Sequence, residues 1–294
     1  MRVLEASPGA VPGHRVMLKQ ILHHLPAVLV AIILLPVLAG RYFRSETGSA
    51  YGASLFDKLR LLVSMVRNNM RVRSASNFVY HLLMATAILN VPPETEGVIV
   101  ECGCYKGGST VNLSLVAAMC GRELHVFDSF AGLPTPSATD EGHLVLSDHE
   151  VQTYTAGAYE GTLEEVTNNI ERCGALGSCT FHEGFFEKTL PKFGRPIVFA
   201  YLDVDLAASE ETCLRHLWPL LIEGGYLFTD EAPHLEIAAL FFDRSWWKSE
   251  MGVDPPGLVG AGNGLGLFLR EGGFTSTLGY TAKLTRERLD SRPG

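Results

Sequence analysis

From residue 97 onward the sequence alternates between short apolar runs and helical patterns, and this alternation constrains the fold more than any other feature. Gly97–Glu101, Leu124–Asp128, Thr180–Glu183, Ile197–Asp203 and Gly225–Asp230 are apolar and short, as buried strands are. Ser109–Cys120, Thr162–Cys173 and Glu210–Ile222 lie between them with helical spacing. Thr162 and Glu165 stand at capping-box spacing, and Gly174 supplies a stop. Leu214, Leu217, Trp218 and Leu221 share one face of the last helix, which Pro219 is expected to kink. Strand and helix in turn predict an α/β fold of Rossmann-like type, with a mostly parallel sheet covered on both faces. The end of the chain breaks the pattern. Leu265–Arg270, Glu271-Gly272-Gly273 and Phe274–Tyr280 read as a C-terminal antiparallel hairpin.

The part before residue 97 divides differently. Residues 1–16 read as a flexible tail, 17–44 as an apolar segment, 45–96 as a helical extension and 97–294 as the main domain. In the extension, Phe56–Asn69 and Asn77–Leu89 have helical spacing, and Val91-Pro92-Pro93 breaks it. Leu25–Ala39 is continuously apolar, and with Ile21–His24 it reaches about 19 residues, near the ~20 of a membrane-spanning helix. Three readings stay open: a membrane anchor over residues 21–40, an apolar helix that is buried or faces a partner, and a secretory signal cleaved after Val37-Leu38-Ala39. The anchor reading puts the main domain in the cytoplasm, at the inner face of the cell membrane. A homo-oligomer also stays open.

Composition excludes some classes. Of 294 residues, 47% are hydrophobic and 19% charged, so the chain can bury a core and is not a disordered one. A net charge of −8 with no basic run repels phosphate backbones, and no nucleic-acid partner is expected. The six cysteines form no C-x-x-C pair, which argues against zinc and for small buried thiols in a reducing compartment.

Three groups of residues carry chemistry. Glu101-Cys-Gly-Cys-Tyr-Lys-Gly-Gly-Ser109 follows a strand and opens a helix, so Gly103, Gly107 and Gly108 let backbone approach a ligand near free helix N–H groups. The spacing is not G-x-G-x-x-G. Glu101 would repel a pyrophosphate but would suit a sulfonium ligand with an amino group. Asp128 ends the next strand, where a carboxylate can accept hydrogen bonds from ribose hydroxyls. Asp203, Asp205, Asp230 and Glu231 end two further strands. Acids so close repel one another unless a cation neutralises them, and oxygen-only ligands suit Mg²⁺ or Ca²⁺. The aperiodic stretch Pro134–Tyr159, with His143 and His149, is long enough for a lid over a substrate.

These segments resemble a known family. Glu101–Ser109, Asp128-Ser-Phe-Ala-Gly-Leu-Pro134, Tyr159-Glu-Gly-Thr-Leu-Glu-Glu-Val166, Gly184-Phe-Phe-Glu-Lys-Thr-Leu-Pro191, Asp203-Val-Asp205 and Gly224-Gly-Tyr-Leu-Phe-Thr-Asp-Glu231 are similar to the macrocin O-methyltransferases, antibiotic-tailoring sugar methyltransferases. The resemblance spans roughly residues 75–235, and the Asp-Ser-Phe-x-Gly-Leu-Pro segment is its most specific part. It implies a class I methyltransferase fold, S-adenosylmethionine as cofactor and a Mg²⁺ held by Asp203, Asp230 and Glu231. The positions expected to contact the cofactor are Glu101, Gly103, Tyr105, Ser109, Asp128, Ser129, Phe130 and Gly184. Asp203 is the first candidate for the base, and the partner is a small-molecule hydroxyl acceptor, a sugar or glycoside. The chain departs from the family pattern in having Glu231 where a second aspartate is usual, Ala207 where a tyrosine is usual, and the apolar N-terminal run. A non-catalytic membrane-tethered binding module and a nicotinamide-dependent oxidoreductase are the rival readings.

Overall fold

A computed structural model describes residues 39–137, 140, 143–144, 151–152, 154–262, 265 and 277–284. Five parallel strands, β1 (Val98–Cys102), β2 (Leu124–Asp128), β5 (Cys179–Glu183), β6 (Ile197–Leu202) and β7 (Leu221–Thr229), form the main sheet with β8 (Gly279–Ala282). Their order is β5-β2-β1-β6-β7-β8, and β8 runs antiparallel to β7. A separate antiparallel pair, β3 (His143–Leu144) and β4 (Val151–Gln152), falls within the long segment after β2.

The strand order explains where a ligand can enter. The chain builds outward from β1 through β2 to β5, then returns to the other side of β1 to lay down β6 and β7. Strand order reverses at β1 and β6. The loops leaving their carboxyl ends therefore diverge and leave a crevice.

Helices cover both faces. On one lie α1 (Leu55–Arg71), α2 (Phe78–Leu89), α3 (Gly108–Cys120) and α4 (Leu163–Cys173), whose Leu61, Met65, Leu82, Met84, Val111 and Val166 pack on Ile99 and Tyr201. On the other lie α5 (Phe186–Thr189), α6 (Ala207–Leu217), α7 (Leu235–Leu240) and α8 (Arg244–Glu250), where Leu214, Leu217, Phe241 and Trp247 pack on Val98, Val100 and Cys102. Strand alternation thus divides β1 between two cores, and it puts Glu101 on the Ile99 side, facing α3.

The helix ends follow their capping chemistry. Ser54 and Asp57 form a reciprocal capping box at α1, and the Asn77 side chain accepts two backbone N–H groups at α2. Thr162 caps α4 by accepting the Glu165 N–H, but the Glu165 carboxylate turns away to Lys106 at 2.8 Å, so only half of the expected box exists. The expected helix Glu210–Ile222 is instead α6, and Pro219 ends it rather than kinking it. Proline has no N–H for the next intrahelical bond, and the chain after Leu220 enters β7.

The antiparallel β7–β8 pair fulfils the expected final strand. The other arm of the predicted hairpin, apart from Leu265, lies outside the described residues, as do residues 1–38 with most of the apolar run, and His149. Among the described residues no helix is long and apolar enough to cross a membrane. Residues 39–42 are helical, and Ala39 and Tyr42 are buried in the same core as α1 and α2. The Tyr42 hydroxyl donates to the Lys58 carbonyl at 3.0 Å.

Candidate active site

The turn after β1 is fixed from three sides. The Gly103 N–H donates to the Phe127 carbonyl at the end of β2, and the Asp203 N–H donates to the Cys102 carbonyl, both at 2.9 Å. Gly103 has φ +82°, and a Cβ there would overlap the Asp203 carbonyl oxygen. Glycine at this point serves the approach of β1 to β6 as well as any ligand. Asp128 closes the third side: Oδ2 accepts the Cys104 N–H at 2.7 Å and Oδ1 accepts the Phe130 N–H at 2.8 Å. Each carboxylate oxygen keeps a second lone pair for a ligand hydroxyl.

Glu101 lies beneath this turn. It is fully buried, and Oε1 accepts the Ser109 hydroxyl at 2.5 Å, while Oε2 has no hydrogen-bond partner among the described residues. Burial, opposed by the Ser109 bond and the nearby Thr110 hydroxyl and reinforced by the Asp128 charge, pushes its pKa up to about 7.

The four acids converge as their strand-end positions require. Asp203 and Asp205 follow β6, and Asp230 and Glu231 follow β7, its neighbour. Burial first, then repulsion from Asp230, Asp205 and Glu231, pushes the Asp203 carboxyl well above its ordinary range. The Tyr201 hydroxyl donates to Asp203 Oδ2 at 3.2 Å. Burial and then Glu231 raise Asp230 to about 7, and its Oδ1 has no hydrogen-bond partner among the described residues. Asp205 is likewise raised by burial, Glu231 and Asp230.

Glu231 is engaged differently from its neighbours. Oε1 accepts the Asp205 N–H at 2.9 Å, and Oε2 stands 2.8 Å from His234 Nδ1. Burial alone would lower the His234 pKa, but Glu231, Asp205 and Asp230 outweigh it and hold the value above the ordinary one. Among the described residues no group of three His, Cys, Asp or Glu side chains is arranged to hold a metal ion.

The turn and the acids share one cleft of about 230 Å³. Gly103, Tyr105, Asp128, Ser129, Asp203, Asp230 and Glu231 line it, so seven of the positions expected from sequence meet there. Glu101, Ser109, Phe130 and Gly184 do not line it: the first two pair under the turn, and the Phe130 ring is buried against Phe181. Tyr154, from the expected lid, also lines the cleft, with its ring 6.2 Å from His234. Asp205 was expected in the acid group but neither as a metal ligand nor as the base, and Tyr154 and His234 had no individual role. Asp205 shares the strand-end position of its neighbours, but nothing local marks the other two. Tyr105, Phe130, Tyr159 and Asp205 all have positive φ, which concentrates backbone strain on the loops around this cleft.

The sequence profile of the macrocin O-methyltransferase family (TylF) matches residues 81–254. The chain belongs to this family. The match starts in α2 and ends past α8, so it takes in every residue of the cleft except Ala75 and Thr277. A relative from Streptomyces olivaceus, 8-demethyl-8-(2,3-dimethoxy-alpha-L-rhamnosyl)-tetracenomycin-C 4'-O-methyltransferase, is 35% identical over 143 residues, or 46% of this chain and 52% of the relative. The chain thus spans about half the length of the curated relative it matches. The solved structure of the O-methyltransferase NovP has the same fold, with a TM-score of 0.52 at 18% identity over 76% of this chain and 88% of that one.

Proposed function

We propose that this chain transfers the methyl group of S-adenosylmethionine to a hydroxyl of a sugar or glycosylated small molecule. The observation that carries the reading is the meeting of a glycine turn, braced by Asp128, with a cluster of strand-end acids in one cleft at the sheet's switch point. The cationic donor is suited to the turn side, where Gly103, Tyr105, Asp128 and Ser129 would contact it and Glu101 would supply negative charge from below. Family membership supports the reaction class, and the Streptomyces relative, whose name specifies a rhamnosyl substrate, supports the acceptor class.

A divalent cation fits this site in part. Asp203 and Asp230 are half-buried carboxyls, and Asp230 Oδ1 has no hydrogen-bond partner among the described residues, but both Glu231 oxygens are taken up by Asp205 and His234. Mg²⁺ commonly uses one or two protein carboxylates and completes its shell with water and substrate oxygen, so Asp203 and Asp230 would hold it here. Such an ion would lower the pKa of an acceptor hydroxyl. Asp203 is then a holding group, and Asp205 in the same cleft is the better placed to receive the acceptor proton. Glu231 orients Asp205 through its backbone N–H. Placing the acceptor oxygen in line with the methyl group supplies much of the rate.

Calorimetry with S-adenosylmethionine and with a nicotinamide dinucleotide separates the donor classes, and glycosylated hydroxyl compounds then test transfer. Asp203→Asn keeps the shape of the side chain and removes its charge. It should cut turnover by about 10²-fold or more while leaving donor affinity nearly unchanged. Exhaustive chelation should do the same, with Mg²⁺ restoring the rate. Full turnover after chelation would refute the cation, and binding of the dinucleotide alone would refute the donor. The apolar run at residues 21–40 supports membrane attachment, and any truncation that tests it should stop before Ala39, because Tyr42 belongs to the core.

A further inference from the structure

We propose that the outer face of α1 is a docking surface for an anionic lipid bilayer. This helix is apolar on two sides. Leu61 and Met65 point into the core, yet Leu55, Phe56, Leu59, Val63 and Met70 are left 44% to 77% exposed. At about 100° per residue, these five and half-buried Val66 fall within one arc of about 100°, opposite the buried side. Arg60, Arg67 and Arg71, all exposed, occupy the next 40° or so along one edge of that arc. An apolar stripe with a cationic border is the pattern of a helix that lies in a membrane interface, with its apolar side among acyl chains and its arginines at lipid phosphates.

Charge decides between a bilayer and a second copy of the chain. The protein carries −8 overall, but α1 contains four basic residues and one acid. Asp57, the acid, is tied to Ser54 by the capping box, and Lys58 is buried with its Nζ on the Arg44 and Thr47 carbonyls. Among the described residues no ion pair takes up Arg60, Arg67 or Arg71. Two α1 stripes packed antiparallel would set these arginines against each other, with no carboxylate on the helix to answer them. Anionic headgroups would answer them. Ala39, the last residue of the apolar sequence run, packs in the α1 core, and Tyr42 bonds to Lys58.

The test is flotation of the full chain with vesicles of phosphatidylcholine alone or mixed with phosphatidylglycerol. The chain should partition preferentially into the anionic vesicles, and less so at high salt. Replacing Arg60, Arg67 and Arg71 together by glutamine should weaken that partitioning by about a hundredfold, at about fivefold per arginine. These side chains are exposed, so melting temperature should not move. A solvatochromic dye on Val63→Cys, with the wild-type chain as labelling control, should shift to the blue only with anionic vesicles. Equal partitioning into both vesicle types, an unchanged triple variant or an unshifted dye would overturn the proposal. So would a dimer that Phe56→Ser and Met70→Ser dissociate in the absence of lipid. None of these readouts depends on methyl transfer.

Discussion

Gly103→Ala tests whether the glycine turn is built for the fold as well as for a ligand. Two costs can be worked out separately. Holding a non-glycine residue at a left-handed φ costs about 1–2 kcal/mol. Gly103 at φ +82° is subject to it, as is Gly121 at φ +63° in the C-cap of α3. The second cost is steric and belongs to Gly103 alone. Its new Cβ would overlap the Asp203 carbonyl oxygen, which is backbone and cannot rotate away, whereas a Cβ at Gly121 meets nothing within 4 Å. Forcing such an overlap costs about 1–3 kcal/mol, and the loss of unfolded-chain freedom returns about 0.4–1 kcal/mol at either site. Gly103→Ala should therefore destabilise by about 2–4 kcal/mol and Gly121→Ala by about 1 kcal/mol. At about 2–4 °C per kcal/mol for a domain of this size, the first melts roughly 5–15 °C lower and the second only a few degrees lower. Thermal denaturation without ligand measures both. If Gly103→Ala keeps the wild-type melting temperature and loses only donor binding, the β1–β6 approach does not require this glycine and the reasoning fails.

Two other substitutions separate support from ligand contact. Asp128→Ala strands the Cys104 and Phe130 N–H groups and removes a ribose acceptor, so it should lower both the melting temperature and donor affinity, the latter by about 10–100-fold. Unchanged affinity in calorimetry would remove Asp128 from the donor site. Glu101 has a folded pKa of about 7 against an ordinary 4.5, so the folded protein holds a proton that the unfolded chain has lost. Between these values the donor-free protein should lose stability as pH rises, by on the order of 3 kcal/mol from this group. Glu101→Gln should flatten that part of the melting-temperature profile, and parallel profiles for the two proteins would show that Glu101 is not the cause.

The fold was legible where side-chain period and strand length agree. Leu124–Asp128 is read to the residue because its apolar run ends in a strand-terminal acid. α6 was read too long because Leu221 continues the helical apolar face in sequence although it belongs to β7, and periodicity alone cannot tell these apart. The acids were legible as a group because strand ends converge. Which oxygens stay free was not legible, since Glu231 is engaged by a backbone N–H and by a histidine that only the folded chain brings near. Glu101 was expected at the ligand, but strand alternation turns it toward α3 and Ser109. Tyr201 reads as core, yet it shares a strand face with Asp203, and that i, i+2 relation was the one available sign of the bond between them.

Asp205 is where strain and charge coincide, and it yields the sharpest expectation. Its φ is +61°, its half-buried carboxyl sits among Asp230 and Glu231, and desolvation and those neighbours push its pKa well above the ordinary range. Without a bound cation, such a residue destabilises the fold at neutral pH in its charged form, because the unfolded carboxylate is fully solvated. Asn tolerates left-handed backbone and keeps the N–H that Glu231 accepts, so Asp205→Asn removes the charge with little else. It should raise the melting temperature of the donor-free protein by a few degrees, from a gain of about 1 kcal/mol. If Asp205 receives the acceptor proton, the same change should cut turnover by about 10²–10⁴-fold with donor affinity kept. Opposite signs on stability and rate are what a functional carboxylate predicts, whereas a structural one would lose both. An Asp205→Asn protein that melts lower and still turns over at the wild-type rate would place the proton acceptor elsewhere in the cleft.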